Sequence, residues 1–172
     1  MTGEAGGCDG VQGNALSSTM TYDEWEATVP AALKADAIWR VQAFRLASYL
    51  GTVAGLDADI IAEAPWLLKS AAQLSSSSES IPANIAEGYA PLSTKDRIRY
   101  YEYALGSANE AKSRYVTLSR RLDPHLVDAR LAVLASVTNL VLTMIRSGRR
   151  FAPPSDTPSP ARGADSPARP DT

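Results

Sequence analysis

The side chains that most often carry out catalysis are scarce in this chain of 172 residues. It holds one cysteine, Cys8, and one histidine, His125, which argues against a cysteine-based zinc site, paired histidine ligands and most nucleophile–histidine arrangements. A di-iron bundle site needs a glutamate three residues before a histidine, and His125 has none. No glycine-rich phosphate loop is present either. We therefore expect no metal, no cofactor and no enzymatic activity.

One pair of polar residues could still form a reactive pocket. Asn84 and Glu87 are three residues apart, so they share one side of a predicted helix just after Pro82. General acid–base catalysis needs a tuned pair in a cleft, and the sequence shows neither. We interpret the pair as structural, with a donor for the carbonyl that Pro82 leaves unpaired, and keep an enzyme centred on it as an alternative.

Charge is distributed unevenly, although the formal net charge is only −2. Residues 23–92 hold four basic and nine acidic side chains, whereas residues 93–150 hold eleven basic and five acidic ones, a net charge of +6. Arginines at helix ends could follow a nucleic-acid backbone, because such affinity rests on neutralising phosphates. The alternatives are cations that complement helix dipoles and stay solvated, or an acidic protein partner. The candidate nucleic-acid-binding residues are Arg97, Arg99, Arg114, Arg120, Arg121, Arg146, Arg149 and Arg150.

The two ends of the chain differ in composition from its centre. Residues 1–22 hold five glycines and little that could be buried, and residues 151–172 are rich in proline. We predict that both are disordered tails and that residues 23–150 form the folded domain. The longest apolar stretch, Leu131 to Ile145, is shorter than the roughly 20 residues of a membrane span, so we expect a soluble cytoplasmic protein.

Apolar residues recur with helical spacing throughout residues 23–150, and no segment alternates with the period of a strand. This pattern predicts an all-α fold, an antiparallel up-down-up-down four-helix bundle. The predicted helices cover about residues 28–53, 65–88, 93–121 and 124–148. Gly51, Gly55 and Asp57 are assigned to the first connector, and Pro82 is expected to kink the second helix. Ser93 and Asp96 have the spacing of a capping box at the start of the third.

The fourth predicted helix carries two interleaved rows of apolar residues. One row is enough to pack a helix into a bundle formed by a single chain. The second row therefore indicates a contact between subunits, unless the helix is fully central. We predict a homo-oligomer whose interface includes Leu131, Leu134, Val141 and Ile145.

Parts of the first three predicted helices have a recognisable sequence. The run SIPANIAEGY at residues 80–89, YALGSANE at 103–110 and WRVQA at 39–43 together resemble the four-helix bundle proteins of bacterial ribosomal-RNA intervening sequences. The chain is also similar, more distantly, to accessory proteins of diversity-generating retroelements. The motif residues to which we assign structural roles are Ile81, Pro82, Asn84, Glu87, Gly88, Gly106 and Glu110.

The resemblance implies a small helical subunit without an established activity that assembles into a ring, a homopentamer in members of known architecture. Retroelement relatives bind nucleic acid and a reverse transcriptase, so RNA, DNA and a reverse transcriptase are the implied partners. Ser75 and Ser76 stand where family members commonly carry two arginines, which argues against phosphate contact there. We predict a non-enzymatic, ring-forming bundle that binds nucleic acid or a nucleic-acid enzyme. The alternative is a structural or adaptor oligomer with a protein partner.

Overall fold

The computed structural model describes residues 19–150 of the chain, and within that range it contains helices and no β-strand. The α-helices are α1 (Tyr22–Thr28), α2 (Ala31–Ala35), α3 (Gln42–Ala62), α4 (Leu68–Tyr89), α5 (Thr94–Leu118) and α6 (Pro124–Arg150). Short 3₁₀ turns cover Ala37–Arg40, Pro65–Leu67 and Ser119–Arg121. The all-α prediction is confirmed, but residues 19–150 form six α-helices where the sequence predicted four.

The four long helices, α3 to α6, surround the main core. Each packs against its neighbours along the chain, and α6 also packs against α3. The neighbours run antiparallel, since Gly51 of α3 faces Glu79 of α4 while Gly55 faces the earlier residue Ser75. The end of α6 likewise meets the start of α5. Side chains from all four helices therefore share one hydrophobic cluster.

The first predicted helix is divided into three elements. The extended backbone at Val29 and Pro30 ends α1, because Pro30 has no amide hydrogen to continue the helical bonds. Asp36 ends α2 and caps the next 3₁₀ turn, where its carboxylate accepts a hydrogen bond from the amide of Ile38 at 2.9 Å. A regular helix resumes only at Gln42.

The predicted connector after residue 53 is wrong, because α3 continues through it to Ala62. Glycine in a helix costs about 1 kcal/mol relative to alanine. At Gly51 an added Cβ would lie 3.7 Å from the carbonyl oxygen of Ser78, an ordinary contact distance, so the packing of α4 on α3 does not require glycine there. Asp57 therefore lies inside α3 and is buried.

The folded part also begins earlier than predicted. Thr21 and Glu24 form a capping box at the start of α1, in which the amide of Thr21 donates to the Glu24 carboxylate at 2.7 Å. Met20 is buried, and its carbonyl accepts a hydrogen bond from the hydroxyl of Tyr49 at 2.7 Å. Residues 19–22 therefore belong to the fold. The rest of the two predicted tails, residues 1–18 and 151–172, lies outside the described residues.

An aromatic cluster holds α1 against α3. The ring of Trp25 stacks on that of Trp39, with centroids 6.0 Å apart, and tilts against Tyr49 at 5.8 Å. The indole nitrogen of Trp25 donates to the hydroxyl of Thr52 at 3.1 Å. The segment before α3 is thus attached through a second, smaller core.

The predicted starts and ends of α4, α5 and α6 agree closely with the structure. Pro82 does not divide α4, which is continuous from Leu68 to Tyr89. Ser93 caps α5, where its hydroxyl accepts a hydrogen bond from the amide of Asp96 at 3.1 Å. The third predicted helix ends in the 3₁₀ turn Ser119–Arg121, and α6 begins at Pro124 as expected.

Both apolar rows of α6 pack within their own chain. Leu134 and Val141 are each 1% exposed and Ile145 is 4% exposed, while Leu131 is partly buried against the same core. The large apolar side chains exposed on residues 19–150 all lie outside α6. Leu134, Val141 and Ile145 are therefore covered by their own chain and are not available for the predicted subunit interface, whereas Leu131 stays partly exposed. The helix needs apolar residues on two sides because it packs against both α3 and α5.

By length and composition alone, α6 could also cross a membrane. Core helices of soluble proteins meet the same criteria. In this chain α6 packs against α3 and α5, and its buried row includes the charged residue Arg130. These contacts are those of a core helix.

A buried charged cluster lies near the end of α3, the end of α5 and the start of α6. Asp57 of α3 is 0% exposed and Arg130 of α6 is 3% exposed, and the arginine Nε donates to Asp57 Oδ2 at 2.9 Å. The hydroxyl of Tyr115 on α5 donates to the same oxygen at 2.8 Å. Burial, together with the charge of Asp57, raises the pKa of Tyr115, so its hydroxyl keeps the proton that it donates. Three helices are thus joined through one carboxylate.

We predict that Asp57→Ala lowers the free energy of unfolding by about 3–5 kcal/mol, because it leaves the Arg130 charge buried without its carboxylate. The double variant Asp57→Leu/Arg130→Met removes both charges, so its free energy of unfolding should fall clearly less than that of Asp57→Ala. Asp59→Ala, at an exposed position of the same helix, should change stability by less than about 0.5 kcal/mol. Urea unfolding followed by circular dichroism measures all three. A double variant as unstable as Asp57→Ala would contradict this assignment.

Candidate functional site

The start of α5 and the end of α6 together form a basic end of the molecule. Because the two helices are antiparallel, Glu102 meets Arg149 at 2.6 Å, and a Cβ added to Gly148 would lie 3.1 Å from Ile98. We define the basic end as residues 94–103 and 145–150. These segments hold six basic and two acidic side chains, a net charge of +4, from Lys95, Arg97, Arg99, Arg146, Arg149 and Arg150 against Asp96 and Glu102.

Most arginines of the basic end are open to solvent. Arg97 is partly buried, and the other four are exposed. Arg99 forms an ion pair with Asp96 at 3.1 Å, besides the Arg149–Glu102 pair. Ion pairs between exposed side chains contribute only about 0–1 kcal/mol, so a phosphate can displace either carboxylate. The dipole of α6 also favours cations at the end of this helix. The arginines there therefore also fit the alternative given above, in which they are solvated charges that complement the helix dipole.

The remaining predicted arginines lie elsewhere. Arg120 and Arg121 are exposed in the turn between α5 and α6, about 35 Å from the basic end along α5. Arg114 is partly buried and pairs with Glu110 at 3.4 Å. The acidic residue Asp123 follows the Arg120–Arg121 turn. The structure therefore divides the eight predicted residues into groups, and the basic end brings five of them together.

Aromatic side chains stand among the arginines of the basic end. Tyr103 is 53% exposed, and Tyr89 at the end of α4 is 43% exposed. The ring of Tyr100 contacts that of Tyr103 edge to face, with centroids 6.1 Å apart. The guanidinium carbon of Arg99 lies 5.9 Å from the centre of the Tyr100 ring. This surface thus offers both cations for phosphates and rings on which a base can stack.

Two of the motif residues pack tightly between α4 and its neighbours. Ile81 is 0% exposed in the core. Gly88 faces the ring of Tyr101, and a Cβ added there would lie only 2.4 Å from a carbon of that ring. Burial raises the pKa of Tyr101, which keeps its hydroxyl neutral. Glycine at position 88 is therefore a steric requirement for packing α5 on α4.

The polar pair after Pro82 interacts within its own helix or with solvent. The side-chain amide of Asn84 donates to the carbonyl of Ser80 at 2.8 Å, one turn earlier in α4. The carbonyl that Pro82 leaves unpaired is that of Ser78, four residues earlier. Asn84 was predicted to bond to this carbonyl and bonds instead to that of Ser80. Glu87 is exposed. The hydrogen bond of Asn84 therefore stays within α4 and does not link it to Glu87.

The other two motif residues, Gly106 and Glu110, have no role in the core. Glu110 is exposed and lines an open groove of about 450 Å³ between α4 and α5, together with Lys69, Ala72, Gln73, Ser76, Ser77, Ser80 and Ser107. Gly106 is exposed, and a Cβ added to it would meet nothing within 4 Å apart from its chain neighbours and the backbone of its own helix. Within residues 19–150, Gly106 therefore makes no close contact with another helix that would account for a structural role.

Three features of residues 19–150 were missed from the sequence. Asp57 and Arg130 occupy core positions at the apolar spacing of α3 and α6, which is a readable signal for a buried ion pair. The segment RIRYYEY at residues 97–103 places three tyrosines next to two arginines, which is a readable signal for aromatic side chains beside the basic ones. Trp66 is 78% exposed and Leu68 is 55% exposed in the α3–α4 connection, at the end opposite to the basic end. We find no sequence signal for their exposure.

Residues 67–128 match the family described as 23S rRNA-intervening sequence protein. The match covers α4, α5 and the start of α6, and so includes the SIPANIAEGY run and the α5 part of the basic end. No curated protein and no solved structure matched the chain. This match supports the resemblance of residues 67–128 to intervening-sequence proteins. It does not concern retroelement accessory proteins.

The two motif glycines provide a matched pair of substitutions. Gly88→Ala should lower the free energy of unfolding by about 1–3 kcal/mol, because the new methyl group overlaps the Tyr101 ring. Gly106→Ala should raise it by about 0.5–1 kcal/mol, because alanine favours the helix and meets no neighbour. Chemical denaturation of both variants tests this. Equal effects of the two substitutions would refute the steric role of Gly88.

Proposed function

We propose that this protein is a non-enzymatic nucleic-acid-binding protein and that the basic end is its contact surface. The similarity of residues 67–128 to 23S rRNA-intervening sequence proteins is the starting point, since it includes half of that surface. The observation that carries the proposal is the concentration of six cations from two helices beside exposed tyrosines. Phosphate neutralisation with release of counterions supplies the affinity.

The supporting fold in this proposal is an antiparallel four-helix bundle formed by α3 to α6, with α1 and α2 attached outside it. A rigid bundle keeps the start of α5 and the end of α6 at a fixed distance. Cations on two helices can then contact successive phosphates without ordering a flexible loop, which would reduce affinity. The weak exposed ion pairs of Arg99 and Arg149 permit exchange with phosphate.

Assembly into a ring remains part of the proposal and rests on the family resemblance, in which known members are homopentamers. The buried residues of α6 do not provide the contact. Exposed apolar residues elsewhere are available for it, chiefly Trp66 and Leu68 at the opposite end, with Ile60 and Val116. The resemblance to retroelement accessory proteins makes a reverse transcriptase the proposed protein partner.

An adaptor that binds only protein is the second candidate, and the exposed Trp66 favours it. Aromatic side chains of this kind are enriched at the centres of protein interfaces. In that case the arginines at the helix ends are solvated charges. A nucleic-acid titration separates the candidates, since the adaptor binds no oligonucleotide. Light scattering tests what they share, because both are expected to have a multimeric mass.

The chain offers two neighbouring arginine pairs at opposite ends for the test. Arg149→Ala/Arg150→Ala should weaken binding of a labelled RNA at least about tenfold at low salt, because the variant no longer neutralises about two of the phosphates. For a single strand, the slope of log K against log salt should become shallower by about 0.7 for each phosphate that is no longer neutralised. Fluorescence anisotropy at several salt concentrations measures both effects.

Arg120→Ala/Arg121→Ala is the matched control, since it also removes two exposed charges from one helix end. Binding should change by less than about threefold in this variant. If both pairs weaken binding equally, or if the affinity does not depend on salt, the basic end is not the contact surface.

A further inference from the structure

We infer that the basic end recognises single-stranded nucleic acid, with an unpaired base stacked on the ring of Tyr103. This inference rests on the proposed function and adds the class of ligand. The ring of Tyr103 is 53% exposed, although it lies in the interior of a long helix. It therefore presents an open aromatic surface within a segment of positive charge.

The neighbours of Tyr103 support one part of its ring and leave the other part open. A helical side chain leans toward the start of its helix, which brings Tyr103 over the turn that contains Tyr100. The two rings meet edge to face at an angle of 88°. Residue 106, three positions later, would cover Tyr103 from the other direction, but it is a glycine, and a Cβ added to it would meet nothing within 4 Å apart from its chain neighbours and the backbone of its own helix. Space for a flat base therefore remains beside the ring.

Gly106 has no other explanation within residues 19–150. Glycine is unfavourable in a helix interior compared with alanine. Gly88 offsets this cost by admitting the ring of Tyr101, whereas a Cβ at Gly106 would meet no other element of the fold. An open helix surface beside an exposed tyrosine is what a stacked base requires.

Cations on two sides place phosphates next to such a base. Arg99 lies one turn before Tyr103 and is exposed, and its guanidinium group is near the Tyr100 ring. Arg149 reaches Glu102, the residue adjacent to Tyr103, from α6. The backbone of a strand whose base stacks on Tyr103 therefore passes between cations of α5 and α6. In a duplex both faces of a base are already stacked, so a duplex has access only to the charges.

The test compares three labelled ligands of about 12 nucleotides: a uridine-rich single strand, a duplex, and a single strand whose central nucleotides are abasic. RNA and DNA versions of each distinguish the two sources of the strand. Fluorescence anisotropy with the full chain gives the affinities. We expect the intact single strand to bind about tenfold more tightly than the abasic strand.

Two substitutions separate the ring from its surroundings. Tyr103→Leu removes the aromatic ring from an exposed position, and it should abolish the tenfold difference while leaving duplex and abasic affinities unchanged. Tyr103→Phe keeps the ring and should retain the difference. Circular dichroism confirms that each variant is folded.

The outcomes are distinct. Salt-dependent binding of all ligands with no effect of Tyr103→Leu overturns the stacking inference and leaves the proposed function in place. Absence of binding to any ligand overturns both. A change in mass by light scattering for Tyr103→Leu, with base-dependent affinity unaltered, assigns Tyr103 to a contact between copies and overturns the inference.

Discussion

The ion pair between Asp57 and Arg130 determines how the long helices meet. Two opposite charges can leave water together only when they are closely paired and hydrogen-bonded. The carboxylate of Asp57 meets this condition by accepting hydrogen bonds from Arg130 of α6 and Tyr115 of α5. Rows of apolar residues specify the register of a helix less strictly than a buried pair of charges does. A shift of one turn, about 5.4 Å, would break both hydrogen bonds. The network therefore selects one register for α3, α5 and α6.

That register explains why the positive charges are concentrated at one end. With Arg130 fixed against Asp57, the last turn of α6 lies beside the first turns of α5, where Arg149 contacts Glu102. Cations that are about 50 residues apart in the sequence thus become neighbours, and the exposed ring of Tyr103 stands among them. The pairing of buried charges in the core thus determines which cations meet at the basic end, the surface proposed for nucleic acid. The proposed function needs no catalytic group, in agreement with the scarcity of such residues in the sequence.

Local signals were enough to predict α4, α5 and α6, because residues such as Ser93 and Pro124 define helix starts through their own backbone and side-chain chemistry. Signals that depend on neighbours failed. Gly51, Gly55 and Asp57 favour a connector by residue type, yet α3 continues through them, where it packs against α4 and α6. The break before α3 is a local signal that was also missed, since Asp36 caps a 3₁₀ turn only two residues away. The two apolar rows of α6 indicate how much of its surface is buried. They do not indicate whether that surface packs against another subunit or against helices of the same chain. For the candidate site, the sequence was enough to predict that positive charge is concentrated in residues 93–150. It did not predict which of these arginines lie at the same end of the molecule, because that depends on the register of α5 and α6.

The most direct test of the account is photo-crosslinking of a single strand containing 4-thiouridine, followed by trypsin digestion and mass spectrometry. Cleavage after Arg99 and Lys112 releases residues 100–112, which contain Tyr103, and cleavage after Arg121 and Arg130 releases residues 122–130 from the opposite end. The account predicts crosslinks in the first peptide and none in the second. Crosslinks confined to residues 122–130 would contradict it.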